Sequence, residues 1–279
     1  MASLDDHCAQ PLEHEAYALN NQGEAGRPEI RHLCKSIFRE FGTEVFLGAY
    51  VRVKGGIRKH TRDYPELTKL LTRFLSQEFP GDSFLAISLA LDKSMEPHKD
   101  LQNSTLPSLL CNVSDESLGG TWIEHPEGKI PRRCQDGKTR LGCVYRGHRY
   151  RLSASKLWHA PFTEGEGRIM LIGWVPAGWQ CLSPEDLRQL HCLGFRRPGP
   201  DAEATSALSL WRGTGLVQTD LHRFGKRPAH LGAPPSWRLG QLKVTTSPLH
   251  ICMSSDEEAE DAAGLARIDG EAEFVICID

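Results

Sequence analysis

The order of apolar and polar positions divides the chain into three stretches. Up to about residue 27 apolar residues follow no period, and Asn20-Asn21-Gln22-Gly23 and Gly26-Arg27-Pro28 are turn formers, so 1–27 is predicted to be a flexible leader. Ile30, Leu33, Cys34, Ile37 and Phe38 then share one face of a helix over 28–40. The β-branched and aromatic run 45–51 predicts a strand, and Gly55-Gly56 a turn. Tyr64, Leu67, Leu70, Leu71, Phe74 and Leu75 recur at helical spacing over 61–79, where Pro80-Gly81 ends the helix. Strands dominate after that: 83–91, 106–113, 120–124, 141–145, 149–152 and 168–175. Ser183-Pro184 caps a last helix that runs to His191. Short strands without intervening helices imply a mainly β domain with flanking helices (α+β), a sandwich or barrel, over 28–195. Beyond Phe195 the period is lost among Pro, Gly and Arg, and 254–261 is an acidic run, so 196–279 is predicted to be a disordered, acidic-ended tail.

Composition changes this picture little. A net charge of −3 points to no partner by itself. No apolar run approaches the roughly 18 residues of a membrane helix, and Asp5, Asp6, Glu13 and Glu15 exclude a secretory signal in the first 21 residues. Nine scattered cysteines without a Cys-x-x-Cys read as the reduced thiols of an intracellular protein, not as a disulfide framework or structural zinc.

Candidate chemistry lies in Pro97-His98-Lys99-Asp100, directly after a predicted strand. On extended backbone residues i and i+2 share a face, so His98 and Asp100 can hold one divalent metal. His159, at the end of a second extended segment, completes a two-histidine, one-carboxylate set, which suits non-haem Fe(II) and leaves three positions open. His148 is the rival third histidine. A His-x-Asp triplet alone is common by chance; Arg168, at the start of the strongest strand, adds to it. Alternation puts Arg168, Met170, Ile172 and Trp174 on one face, a cation at the rim of an apolar wall. A guanidinium there can take the distal carboxylate of 2-oxoglutarate, the co-reductant that such iron chemistry needs.

His98-x-Asp100, His159 and Arg168, in this order and spacing, resemble the Fe(II)/2-oxoglutarate-dependent dioxygenases. Pro97-His98-Lys99-Asp100-x-x-Asn103, followed by Gly119-Gly120-x-Trp122, is most similar to the TET/JBP-like branch found in protist mobile-element polyproteins. The resemblance covers about residues 44–195. It implies a double-stranded β-helix (jelly roll), with His98, Asp100 and His159 on Fe(II), Arg168 on 2-oxoglutarate, and Asn103 positioning the ligand loop or substrate. O2 is then the second co-substrate and ascorbate an auxiliary reductant. Met170 stands where many relatives have a polar residue, and the short 159–168 spacing departs from the animal enzymes.

A basic stretch follows the metal pair. Eight Lys and Arg residues between 129 and 151, among them Arg132, Arg133, Lys138, Arg140 and Arg149, face only Asp136. They could track a nucleic-acid backbone, with Trp122, Tyr145 and Tyr150 as stacking faces, or form a solvated hairpin offset by the acidic tail. The expected activity is hydroxylation of a pyrimidine methyl group (5-methylcytosine or thymine) in nucleic acid, and a nuclear location would follow. Two alternatives stay open: a protein or small-molecule hydroxylase, and an inactive nucleic-acid-binding module. The run 273–279 resembles a SUMO-interacting motif, which would add a strand to a SUMO-like partner; the simpler reading is a chance β-branched run.

Overall fold

The computed structural model describes residues 11–199 apart from residue 24, together with three short strands further on. The chain is a mixed α+β structure of two largely antiparallel sheets with five helices among the described residues.

Helices α1 (Pro11–Asn21) and α2 (Arg27–Phe41) lead into β1 (Glu44–Val51) and β2 (Gly55–Ile57). Then come α3 (Lys59–Asp63), α4 (Pro65–Glu78), β3 (Ala86–Leu91), β4 (Ser108–Asn112) and β5 (Gly119–Glu124). The chain continues with β6 (Ile130–Arg133), β7 (Thr139–Tyr145), β8 (Arg149–Leu152), β9 (His159–Thr163), β10 (Ile169–Trp174) and α5 (Pro184–Cys192). The larger sheet runs β8-β4-β10-β3-β1-β2 and the smaller β7-β5-β9, with β6 paired to β7. No helix among the described residues is long and apolar enough to cross a membrane.

Alternation along the large sheet divides its faces. Val45, Leu47, Ile87, Leu89, Leu109, Cys111 and Leu171 lie on one side, buried with Leu33, Ile37, Leu67, Leu71 and Leu75 of α2 and α4. Phe46, Ser88, Ile172 and Leu110 align across four strands on the other side. There Leu110 and Met170 pack with Ile123, Cys143 and Tyr145 of the small sheet. A cavity beside this cluster shares Leu110, Leu152 and Met170 with it and is lined by β1 and β10 of the large sheet and by Thr121, His159 and Pro161 of the small one.

Several expectations need correction. Residues 11–21 are no loose leader: Leu12 and Ala16 are buried, and the Glu13 carboxylate accepts from the backbone N–H groups of Glu66 (2.9 Å) and Leu67 (2.8 Å). The helix expected over 61–79 is two helices. Pro65 lacks an N–H and disfavours helical backbone at Tyr64, so α4 starts afresh with Pro at its first position. Gly55-Gly56 belongs to β2 rather than to a turn, and 130–133 is an edge strand with alternating exposure. The predicted disorder of 196–279 falls largely outside the described residues. Within that stretch β11 (Leu216–Val217), β12 (Leu265–Ala266) and β13 (Val275–Cys277) are short strands, and β13, inside the run compared with a SUMO-interacting motif, pairs parallel to β8.

Candidate metal centre and its cavity

His98 lies in the loop after β3 and His159 opens β9. Their backbones exchange two hydrogen bonds of 3.0 Å, His98 N–H to His159 C=O and the reverse, so this bridge adds the 98 segment to the small sheet beside β9. Asp100 is fixed in turn by its own N–H, which donates to Ala154 C=O at 2.9 Å. The expectation that 98 and 100 lie on a regular strand is therefore met only by a single bridged position.

The side chains converge. His98 Nε2 is 3.4 Å from Asp100 Oδ1 and His159 Nε2 is 3.7 Å from Asp100 Oδ2. The two rings lie 4.6 Å apart. Each Nδ1 sits 3.0 Å from a backbone carbonyl, Glu96 for His98 and Leu157 for His159. A carbonyl can only accept, so each Nδ1 carries the proton, and in the neutral ring Nε2 turns a lone pair inward. Two such lone pairs against a carboxylate repel one another unless a cation stands between them. A first-row metal bound at about 2.1 Å on an octahedral face spaces its donors about 3 Å apart, close to the separations seen. His98, Asp100 and His159 thus form a group able to hold a metal ion.

A proton on Nε2 is the alternative to a metal between these groups. Burial, the largest influence, pushes the Asp100 carboxyl up, but the hydrogen bonds that the His159 and His98 rings donate when Nε2 carries a proton outweigh it and hold the group well below the usual carboxylate range. Asp100 in turn raises the pKa of His98. Asn103 Nδ2 donates to Asp100 Oδ2 (3.3 Å) and to Ser108 Oγ (3.2 Å), which orients the carboxylate. His148 is not part of the group; it lies 3.1 Å from Glu116.

His98, Asp100 and His159, with Asn103 and Arg168, line one cavity of about 970 Å³. Arg168, Met170, Ile172 and Trp174 share its wall, as alternation predicts. Arg168 is only 3 % exposed; its Nη2 lies 3.5 Å from Thr121 Oγ1 and its Nε has no partner. Burial lowers its pKa. The Asp92 carboxylate is spent on the backbone N–H groups of Gly167 and Arg168, which fixes where this arginine leaves the chain. Tyr150 Oη, fully enclosed, pairs with Thr121 Oγ1 at 2.5 Å. Thr121 fills the open position of the Gly119-Gly120-x-Trp122 motif. A Cβ on Gly119 would lie 2.1 Å from Phe162 C=O and 3.1 Å from Arg168 Cδ, so glycine there leaves room for the arginine. Tyr150 carries no local sign of this role in the sequence.

The basic stretch is organised differently from the expectation. Arg140 is paired with Asp136 and Glu124 and lies over Trp158, and Arg149 is paired with Glu78. Arg132 donates to Pro161 C=O at 3.0 Å, while Arg133 and Lys138 are exposed. Trp122, Tyr145 and Tyr150 are buried, so they are not stacking faces. Trp122 instead donates to Ile130 C=O and packs on Cys134 and Val144.

No known family model matches this chain, and no curated protein matches it either.

Proposed function

We propose that the chain is an Fe(II)/2-oxoglutarate-dependent dioxygenase on a double-stranded β-helix, which hydroxylates a C–H bond, in the first place a pyrimidine methyl group of nucleic acid. The strand order supports this fold. From β3 to the 98 segment to β4 to β5, and from β7 to β8 to β9 to β10, each step crosses to the other sheet, and β5–β7 form hairpins within the small one. That alternation winds two strands of chain around one axis.

The observation that carries the activity is Arg168, a buried guanidinium with an unpartnered Nε in the cavity that holds the three ligands. A buried cation without a counter-charge costs free energy that an incoming carboxylate recovers. Two imidazoles and a carboxylate suit Fe(II) and leave a face for a chelating co-substrate. Fe(II) with 2-oxoglutarate and O2 would supply the oxidative decarboxylation, to succinate and CO2, that is coupled to hydroxylation. The chain's own groups bind and orient. Arg168, with the Thr121–Tyr150 pair, holds the distal carboxylate. Asn103 keeps Asp100 turned to the metal position. Leu110, Met170 and Ile172 present an apolar wall that excludes water from the reacting carbon.

Purified protein given Fe(II), ascorbate and 2-oxoglutarate is expected to release succinate above a His98→Ala/Asp100→Ala control, with stimulation by methylated DNA but not by peptides. Arg168→Ala is expected to raise KM for 2-oxoglutarate roughly tenfold or more, the worth of a charge-assisted pair. Absence of succinate above the control with nucleic-acid, peptide and small-molecule substrates alike would overturn the reading.

A further inference from the structure

The cavity mouth differs in kind from its floor. Arg52, directly after β1, and Arg58, directly after β2, both line it. Among the described residues neither has a carboxylate partner, whereas Lys93 of the same cavity is paired with Glu44. The Arg58 Nε is buried without a hydrogen-bond partner, and burial together with the like charge of Arg52 lowers its pKa. Two guanidinium groups lining one cavity, neither paired with a carboxylate among the described residues, repel each other in the protein as it stands. Aromatic faces stand beside them. Phe46 and Tyr50 of β1 are each 37 % exposed, large for apolar rings on a strand, and Trp174 meets Phe46 edge-to-face at 6.4 Å. The Arg58 guanidinium lies 5.2 Å from the Phe46 ring centre, which holds it at the mouth.

Cations without counter-charges beside partly exposed aromatic rings fit a strand that offers phosphates and flat rings together. We propose that the substrate strand docks at this mouth, with its phosphodiesters on Arg52 and Arg58 and its bases on Phe46 and Tyr50, and not on the 129–151 hairpin. The hairpin's Arg140 and Arg149 are already paired within the chain, and its aromatic residues are buried. This deepens the functional reading above, since a base entering from the mouth would reach the metal position directly. The docking surface itself rests only on the charges and rings described.

Fluorescence anisotropy with a labelled single-stranded oligodeoxynucleotide, over a salt series and without added metal, tests it. Arg52→Ala/Arg58→Ala is expected to weaken binding about tenfold and to flatten the salt dependence by about 0.7 per lost phosphate contact. Phe46→Ala/Tyr50→Ala is expected to weaken binding about fivefold or more with the salt slope unchanged. Arg133→Ala/Lys138→Ala, on the hairpin, is expected to bind as wild type. Unchanged melting temperature and Co(II) binding establish that each variant is folded, and Arg52→Ala alone, at an exposed position, serves as a milder second variant. The proposal fails if Arg52→Ala/Arg58→Ala binds as wild type. It fails equally if the wild type binds no oligonucleotide, or binds a mononucleotide or an acidic peptide as tightly as the strand. Binding at the mouth without succinate release would sink the dioxygenase reading and leave this surface standing; succinate release without such binding would do the reverse.

Discussion

A histidine must give up its proton before its nitrogen can take a metal, and at His98 the neighbouring Asp100 makes that proton harder to remove. Co(II) affinity, followed by absorbance or calorimetry, should therefore climb as pH rises through the raised pKa of His98 and collapse below it. The metal-free protein should show the opposite trend. With its folded pKa above the free value of about 6.5, His98 contributes stability that is fully present below that value and is lost as pH rises through the folded pKa. A melting temperature that ignores pH across this range in His98→Ala but falls with rising pH in the wild type would confirm the sign. That His98, Asp100, His159 and Arg168 would meet was legible in the sequence, because few residue types suit metal or carboxylate chemistry, and all four line one cavity. Tyr150 and Thr121 were not, because a hydroxyl pair gains its role from where the fold buries it.

Among the elements, α1 was the least visible. Its apolar positions are few, and much of what fixes it is polar contact with α4 far along the chain: the Glu13 carboxylate at one end, and at the other Asn20, which donates to Glu66, and Arg73, which donates to the Leu19 and Asn20 carbonyls. The α4 N-terminus has no side-chain cap of its own, and Glu13 supplies the acceptors. Glu13→Ala should cost about 1–2 kcal/mol, comparable to the loss of a strong cap, and lower the melting temperature by several degrees. Glu13→Ala melting like the wild type would mean that the buried Leu12 and Ala16 and the Asn20 and Arg73 hydrogen bonds hold the helix without it. Strand positions, by contrast, were largely legible, since β-branched runs and turn residues mark them locally. The edge strand β6 escaped notice because half of its residues face solvent and its Pro and Arg residues read as a loop.

For the molecule as a whole, periodicity along the chain does not reveal which strand pairs with which. β3 finds β10 and β5 finds β9 across long stretches of sequence, and those pairings bring residues from both sheets to one cavity. The reciprocal bridge between His98 and His159 adds one pairing to the small sheet at the cavity wall. Its consequence is kinetic as well as geometric: each of the two amide hydrogens is locked behind the other histidine's carbonyl, so neither can exchange with solvent unless the two residues separate. A bound metal resists that separation, and hydrogen–deuterium exchange at the His98 and His159 amides should slow on adding Co(II) by far more than at the β6 edge. Equal slowing at both places would show that the metal tightens the sheet in general rather than this clasp.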